Sequence, residues 1–438
     1  MNELLEFSHL PINLSEETLH TLNGLVSHQS TKDKMINSRI MESCGNLLNS
    51  ENWTVRMEAA YLIGGLIFMM QGRNIMILND VFPPLQRHLT DENTNVREAV
   101  AWTLCRLSNS RDGVAKLAES CTIITMVSAF INFSKAPKTK NKMCLLYLLE
   151  AFINISEYDI GIEPMLGTGL MKSLINFLKL AKKYKEQEIV MIERTLHVIS
   201  HITIHPIGKI EGTDENAISA ASKYINSNRS YEQKRLGTAV IMTVTIELEG
   251  KNQAVGLKKN DKFKVLERLF ELLKGEHEDI RINAKQCFHN IADLPEGFDK
   301  SVTLLSSNLP ILDEVFGIRA IKPLIRLLPK LNTYENPPHI SPQKLPFYQQ
   351  YVKAINFLIE KYEDAESEAI DTPNISQKLG PFLSEESGVS KETSQILRKI
   401  CIKDAHNKEV LKKFINDYGD EGIKRNMVKY PNLMNIIS

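Results

Sequence analysis

The stretch KVLERLFELLKGEHEDIRINAKQCFHNIADLPEGFDK, residues 264–300, contains a pattern that recurs along this 438-residue chain. An apolar segment ends in the polar turn GEHED, and the basic residue Arg281 follows shortly after it. Apolar or small residues come three, seven and ten positions after this arginine: Ala284, Phe288 and Ile291. Spacings of three and four place side chains on one face of an α-helix, so the stretch predicts consecutive amphipathic helices. Gly297, sixteen residues after Arg281, ends the pattern.

Glycines in similar surroundings lie at regular intervals. They are Gly72, Gly113, Gly208, Gly250 and Gly297, separated by 41, 95, 42 and 47 residues. The long step is about two repeats, with Gly161 near its middle. The residue sixteen positions before each glycine, which we call the anchor residue, is basic in four of the five cases: Arg56, Arg97, Ile192, Lys234 and Arg281. A period of about 40–47 residues is the length of a helical armadillo or HEAT repeat.

The order of apolar helix, polar turn, basic residue, apolar helix and glycine resembles the armadillo repeat family. Repeats of this kind bury their apolar faces only against their neighbours and stack into a curved array. The resemblance implies an all-α fold, an armadillo/HEAT-type right-handed helical solenoid with an extra C-terminal helical extension. We expect an N-terminal helical cap over residues 1–34, about six repeats over 35–330, a proline-rich linker over 331–346 and the helical extension over 347–438.

Gly250 and Lys251, in IELEGKNQAV (residues 246–255), resemble the end of a phosphate-binding loop. Such a loop requires a second glycine five residues earlier and a Ser or Thr after the lysine, to hold the phosphates and Mg²⁺. Those positions are Thr245 and Asn252, so the sequence strongly disfavours a nucleotide site here. We expect Gly250 instead to terminate a helix at positive φ, with Lys251 in solvent.

Composition and charge exclude several classes of function. The chain has 53 basic and 53 acidic residues, so no long-range field attracts nucleic acid or anionic lipid. The longest apolar run, YLIGGLIFMM at 61–70, is about half the length that spans a bilayer, and the start of the chain lacks the pattern of a secretory signal. Six scattered cysteines without a CxxC pair suit reduced thiols. We expect a soluble intracellular protein that binds neither nucleic acid nor membrane.

Sites for catalysis or metal binding find little support. HVISHITIH contains His197, His201 and His205, but the third lies about 12 Å along a helix from the first, and no Glu completes an HExxH motif. We expect these imidazoles on the exposed side of their helix, without a metal. No GxSxG motif is present, and the glycine-rich GIEPMLGTGL (161–170) does not follow a strand. We therefore predict no enzyme activity, no cofactor and no small-molecule substrate, although an enzyme with an atypical site stays a third class of function.

The remaining candidate is the surface of the last helix of each repeat, which lines the concave groove in armadillo solenoids. The nuclear-import adaptors of this family present Trp and Asn there, four residues apart. The corresponding positions, five and nine residues after each anchor residue, are Tyr61 and Gly65, Trp102 and Arg106, His197 and His201, Ala239 and Thr243, and Gln286 and Asn290. No pair is Trp–Asn, which disfavours import-adaptor function. The candidate protein-binding residues are Tyr61, Trp102, Arg106, His197, His201, Gln286 and Asn290, of which Arg106 is the only firmly charged one; Trp102 is equally compatible with a packed interior.

A closer resemblance is to the armadillo proteins of ciliary radial spokes, the family of radial spoke head protein 14 homologues. It is found in IELEGKNQAV (246–255), above all in its LEGKNQ run, and in the stretch 264–300 quoted above. RIMESCGNLLNSENWTVRMEAAYLIGGLI (39–67) has a similar layout, whereas the chain beyond about residue 330 departs from that family. The resemblance implies a structural adaptor in the cytoplasm and cytoskeleton, at the axoneme of a motile cilium or flagellum, with other radial spoke subunits as partners. The alternative is a cargo or signalling adaptor that binds an extended peptide in the groove. The main interface could be the concave groove, the convex face or the C-terminal extension, and the sequence does not distinguish among the three.

Overall fold

The computed structural model describes residues 12–38, 40–78, 81–135, 141–180, 189–256, 264–329, 342–418 and 421–437. These residues form helices and turns, with no strand among them. The chain divides into two compact units, Met1–Glu247 and Leu248–Ser438. This division does not coincide with the domain limits expected from the sequence, and those limits remain a prediction.

The first unit is built from short helices joined by tight turns. In chain order its described α-helices are α1 (Ile12–Leu25), α2 (Gln29–Ile36), α3 (Ile40–Leu47), α4 (Trp53–Leu66), α5 (Met70–Leu78), α6 (Phe82–His88), α7 (Thr94–Ser108), α8 (Arg111–Glu119), α9 (Thr122–Ser134), α10 (Lys142–Ser156), α11 (Asp159–Ile162), α12 (Leu170–Leu180), α13 (Ile189–Ile202), α14 (Pro206–Asp214), α15 (Ala217–Ala221) and α16 (Tyr231–Val244). Short 3₁₀-helices follow α11 and α15, at Glu163–Met165 and Ser222–Tyr224.

Helices α4, α7, α10, α13 and α16 form the layer in which successive repeats pack on each other. Helix α1 packs on α4, and each helix of the series then packs on the next. The residues three, seven and ten positions after Arg97 are fully or almost fully buried: Val100, Leu104 and Leu107. The helical spacing read from the sequence is therefore confirmed in this layer, because it places one apolar stripe per helix against its neighbours.

Two of the basic anchor residues, Arg56 and Arg97, hold the repeats together. In each, Nη1 donates to the backbone carbonyls five and six residues earlier, at 2.5–3.1 Å, which closes the turn before the helix. The Nε and Nη2 atoms of Arg56 donate to the two carboxylate oxygens of Asp91 at 2.9 Å each. Those of Arg97 donate to Oδ1 of Asn141 at 3.0 and 2.7 Å. Each arginine therefore links its own repeat to the next one.

The recurring glycines do not terminate helices. Gly113 is the third residue of α8, and Gly250 is the buried third residue of α17 (Leu248–Val255), so the expectation that Gly250 ends a helix at positive φ is wrong. A Cβ on Gly113 would lie 1.9 Å from the carbonyl oxygen of Leu107, at the end of α7. The same contact with the carbonyl six residues earlier occurs at 2.2, 2.4, 2.0 and 2.3 Å for Gly72, Gly161, Gly208 and Gly297. Glycine is required because the first turn of one helix touches the last turn of the helix before it.

The second unit is also helical in its described residues. Its α-helices are α17, α18 (Val265–Leu273), α19 (Glu278–Ile291), α20 (Pro295–Leu305), α21 (Leu309–Phe316), α22 (Ile321–Leu327), α23 (Leu345–Lys361), α24 (Ala365–Ile370), α25 (Ile375–Leu379), α26 (Ser390–Lys403), α27 (Ala405–Tyr418), α28 (Glu421–Met427) and α29 (Pro431–Ile437). Short 3₁₀-helices lie at Gly317–Ala320, Gly380–Leu383 and Glu385–Ser387.

The C-terminal helices pack onto the repeats that precede them within the second unit. Helix α23 packs on α22 and on α26, and α26 packs on α27 and α29. Three helices expected beyond residue 346 are present as α23, α26 and α27. Most of the expected linker, residues 331–341, lies outside the described residues.

Within the described ranges, no single helix has the length and apolar character to span a membrane. Helices α8 and α9 meet those criteria only when taken together, as a pair bent by 83°. Both contribute residues to the core of the first unit, including Leu117 and Phe130, which are fully buried.

Candidate protein-binding face

Seven side chains on four packed helices of the first unit form a surface that we call the ladder face. They are Tyr61 of α4, Trp102 and Arg106 of α7, Glu150 and Asn154 of α10, and His197 and His201 of α13. None of the seven is fully buried. Because the four helices pack in sequence, the side chains follow each other from repeat to repeat.

Trp102 packs between two helices and also reaches the surface. Its ring meets that of Tyr61 edge-on, with centroids 5.4 Å apart. A Cβ on the buried Gly64 would lie 2.3 Å from the indole, so the ring fits against the backbone of α4. The side chain is half-buried, so the two expected roles, interior packing and surface contact, are both present in its geometry.

Arg106 is held in place by α4 and by two aromatic rings. Its Nε donates to the carbonyl oxygen of Gly64 at 3.2 Å. Its guanidinium carbon lies 5.1 Å from the centroid of Trp102 and 5.0 Å from that of Phe68. Neither Nη atom has a hydrogen-bond acceptor among the described residues. Stacking and the single hydrogen bond fix the plane of the guanidinium, and both Nη atoms can still donate to a carboxylate.

Helix α10 contributes two residues that the sequence analysis missed. Glu150 and Asn154 lie five and nine residues after Leu145, which is sixteen residues before Gly161. Asn154 Nδ2 donates to Ser108 Oγ at 3.0 Å and to Asn109 Oδ1 at 2.6 Å. The glycine spacing indicates these positions through Gly161, but the anchor Leu145 is apolar, like Ile192, and lacks the basic signal of the other four anchors. The charged residues of the face therefore include Glu150 as well as Arg106.

Glu150 joins α10 to α13. Its Oε2 lies 2.8 Å from Arg194 Nε. Both side chains are more than a third exposed, so we assign this pair a role in orienting side chains rather than in stability.

The histidine pair of α13 lies at the far end of the ladder face. The Nε2 atoms of His197 and His201 are 3.0 Å apart, and Nδ1 of His201 lies 3.0 Å from Ser156 Oγ on α10. Both rings are half-buried, beside the buried residues Ile199 and Ile202. The neighbouring helix α10 covers part of the surface on which the pair was expected to be exposed. His205 is separate from the pair, because its Nδ1 accepts from Ile207 N at the start of α14.

Burial lowers the pKa of His197 to about 4, and the nearby His201 and Arg235 add to this effect. Burial likewise lowers the pKa of His201, against the opposing charge of Glu157. The pair is therefore neutral near physiological pH, and one Nε2–H donates to the other Nε2. This hydrogen bond requires at least one neutral ring, because two imidazolium rings would direct N–H groups at each other.

We expect this pair to make the stability of the first unit depend on pH. Since the pKa of His197 is lower in the folded chain than its ordinary value of 6.5, the unfolded chain binds the proton first as pH falls. The free energy of unfolding should therefore decrease as the pH falls from 6.5 to about 4. His197→Gln should show a smaller decrease over that window. Melting curves of both proteins at a series of pH values measure the difference, and two parallel pH profiles would contradict the assignment.

The other two candidate residues belong to the second unit. Gln286 and Asn290 are on α19 of the second unit, where Gln286 Nε2 donates to Asn290 Oδ1 at 2.9 Å. On α16, Thr243 is buried and shares a hydrogen bond with Thr203 at 2.7 Å. Across the residues that the structure describes, no three His, Cys, Asp or Glu side chains are arranged to hold a metal ion.

Comparisons with known proteins agree with this architecture. The HEAT repeat family model matches residues 81–110, which contain α6 and α7. The crystal structure of an engineered protein from the Northeast Structural Genomics Consortium is similar over 100% of this chain and 98% of its own, with 16% identity and a TM-score of 0.57. Two designed armadillo repeat proteins, one in complex with the peptide (KR)4, match 57% of this chain and 99% of their own, with identities of 16% and 17% and TM-scores of 0.47. Among curated protein sequences there is no significant match.

The chain therefore has an all-α fold of the armadillo/HEAT-repeat solenoid type. Solenoids of this class are typical of proteins that bind other proteins through the long surface of their stacked repeats. The ladder face lies on four stacked helices of the first unit.

Proposed function

We propose that this protein is a non-enzymatic scaffold of the motile ciliary axoneme, a radial spoke component that binds other spoke proteins through its solenoid surface. The fold class supports the scaffold role. The LEGKNQ run at residues 248–253 and the helix–turn–helix after it support the placement, because they resemble the armadillo proteins of radial spokes. Its location would be the cytoskeleton of the cilium or flagellum.

The observation that carries the binding role is the fixed position of Arg106. Trp and Arg dominate the energies of protein interfaces, and a side chain that is already ordered loses little entropy on binding. Arg106 is stacked on Trp102 and Phe68 and bonded to Gly64, so its free Nη atoms already have a defined direction. A partner can therefore gain a charge-assisted hydrogen bond at small entropic cost.

Rigidity is the mechanical part of the proposal. Asp91 and Asn141 accept the side chains of Arg56 and Arg97 across successive repeats, in addition to the apolar packing of the layer. The two repeats that carry Arg56 and Arg97 are thus each tied to the next one by polar as well as apolar contacts. A surface built this way can hold partners at fixed distances from one another.

The alternative function, an adaptor for an extended peptide, is supported by Asn154. This residue lies nine positions after its anchor, where peptide-binding members of the armadillo family place asparagine. Its amide nitrogen is already occupied by Ser108 and Asn109, and the residue four positions earlier is Glu150 rather than Trp. We therefore rank this function second.

Arg106→Glu tests the proposal in cells that lack the native protein. We expect the variant to melt within a few degrees of the wild type but to be lost from salt-washed axonemes, because reversing a charge at an interface places like charges together. Lys172→Glu is the matched control, since Lys172 is exposed on α12 and does not belong to the ladder face. It should remain in the axoneme like the wild type.

Two results would overturn the proposal in different ways. Full retention of Arg106→Glu with normal beating would show that the ladder face is not the interface at this point. Absence of the wild-type protein from the axonemal fraction would instead exclude the radial spoke placement, whatever the variant does.

A further inference from the structure

Three cations surround one exposed aromatic residue at the turn after α4. Phe68 is 62% exposed. Lys32 Nζ, from α2, lies 5.1 Å from its ring centroid, and the guanidinium carbon of Arg106 lies 5.0 Å from the same centroid. Arg73 Nη1, from α5, donates to the carbonyl oxygens of Ile67 and Phe68 at 3.2 Å each. We call Lys32, Phe68, Arg73 and Arg106 the Phe68 cluster.

The positive charge of the Phe68 cluster is not neutralised within the described part of the chain. No carboxylate there lies within ion-pair distance of Lys32, Arg73 or Arg106. The nearest acidic residue in sequence, Asp33, accepts a hydrogen bond from Gln29 at 3.0 Å. Lys32 and Arg106 lie at the ring of Phe68, and Arg73 closes the turn that carries this residue, so three positive charges lie close together here without an acidic partner.

We propose that the Phe68 cluster binds an acidic segment of a protein partner, one in which Asp or Glu residues flank an apolar side chain. The three cations would each donate to carboxylates, with Arg106 able to bind one bidentately through its Nη atoms. The exposed ring of Phe68 would pack against the apolar side chain between those carboxylates. This inference rests on the proposed protein-binding function and names the chemistry of the partner.

The surroundings favour an acidic peptide over a nucleic acid. A nucleic-acid surface combines a basic track with free aromatic faces on which bases stack. Here the only exposed ring of the cluster already interacts with Lys32 and Arg106. The chain as a whole has a net charge of zero, so it lacks the extended field that draws proteins to phosphate backbones. A compact cluster of three charges matches a short acidic segment instead.

The inference can be tested with the purified full-length protein and three fluorescein-labelled peptides of equal length. One alternates Glu and Leu, one has Gln in place of Glu, and one has Lys in place of Glu. Fluorescence anisotropy should show binding of the Glu peptide only, and binding should weaken as salt is added. Lys32→Glu should weaken that binding about tenfold, which corresponds to about 1.4 kcal/mol. Phe68→Ala should weaken it as well, because the apolar contact is lost.

Lys34→Glu is the matched control, because Lys34 is exposed on the same helix two residues away. It changes the net charge equally and should leave the affinity within a factor of about two, since exposed charges outside the contact are screened by salt. Equal weakening by Lys32→Glu and Lys34→Glu would overturn the site, as would binding of the Gln peptide with the same affinity. Tighter binding of a single-stranded oligonucleotide, with loss in Lys32→Glu, would assign the cluster to nucleic acid instead.

The two proposals fail separately. If no protein binds the Glu peptide but the wild-type protein is retained in axonemes, the proposed acidic-segment site is wrong and the proposed scaffold function stands. If the wild-type protein binds the Glu peptide but is absent from axonemes, the acidic-segment site stands and the proposed radial spoke placement is wrong.

Discussion

Asp91→Ala is expected to destabilise the first unit by about 3–5 kcal/mol, because it leaves the guanidinium of Arg56 buried without its charge partner. Arg56 and Asp91 are only 7% and 8% exposed. Burial raises the pKa of Asp91, but hydrogen bonds from Arg56, the backbone N–H of Asn93 and His88 outweigh it and hold the pKa below its ordinary value. The carboxylate is therefore ionised at neutral pH, and its removal leaves a charge and several donors unsatisfied.

Urea denaturation followed by tryptophan fluorescence measures this loss. The chain has two tryptophans, and both lie in the first unit: Trp53 in α4, the helix of Arg56, and Trp102 in α7, the helix that follows the turn of Asp91. The expected result is a lower midpoint with an unchanged slope, since the unfolded chain exposes the same surface.

The double variant Arg56→Met/Asp91→Leu is the control for the charge. Removing both charges leaves no unpaired buried ion, so the double variant should recover the part of the loss in Asp91→Ala that comes from the unpaired guanidinium. The hydrogen bonds of Asp91 with Asn93 and His88 are lost in both variants. A loss below about 1 kcal/mol in Asp91→Ala, the range of an exposed ion pair, would contradict the buried role.

The apolar spacing of the sequence predicted the helices that build the repeats. Residues three, seven and ten after each anchor lie on one face of a helix whatever its surroundings, because the backbone alone sets that geometry. The rule also holds in α10, where the corresponding residues Leu148, Phe152 and Ile155 are fully buried although the anchor Leu145 is not basic. This local rule is why the fold class could be read from the sequence.

Features that depend on how helices meet could not be read in the same way. The half-buried histidine pair depends on α10, whose Ser156 is 45 residues away from His201. The Phe68 cluster combines three segments, and its members Lys32 and Arg106 are 74 residues apart in sequence. No periodicity connects such residues, since their contact depends on the angles between packed helices. The candidate groove positions could be found by counting residues from each anchor residue. The sequence did not show which of these side chains contact each other.

The recurring glycines show what spacing in the sequence can predict and what it cannot. Their spacing marks a position that recurs from repeat to repeat, but the glycine lies in the first turn of a helix and not at a helix terminus. A left-handed backbone at a helix terminus and a close approach between two helices both favour a residue without a Cβ. Sequence alone does not separate them, but a substitution does.

Gly113→Ala should therefore destabilise the first unit by about 3 kcal/mol, near the upper end of the cost of overpacking a tight contact. The new Cβ would lie 1.9 Å from the carbonyl oxygen of Leu107 and 3.0 Å from Ser110 Oγ, so α8 would have to move away from the end of α7. Gly24→Ala is the control, because Gly24 lies in α1 with nothing within 4 Å of the position of a Cβ. It should be neutral or slightly stabilising, since alanine favours the helix over glycine.

Gly113→Asn separates the two explanations for the glycine. A helix terminus at positive φ tolerates asparagine better than alanine, because asparagine adopts the left-handed conformation more readily. A close approach to the Leu107 carbonyl rejects both residues, and the larger asparagine should cost at least as much as alanine. We expect the urea midpoint of Gly113→Asn to lie at or below that of Gly113→Ala, by the same tryptophan fluorescence. A midpoint clearly above that of Gly113→Ala would restore the helix-terminus explanation and remove the close packing of α7 and α8 as the reason for the repeated glycine.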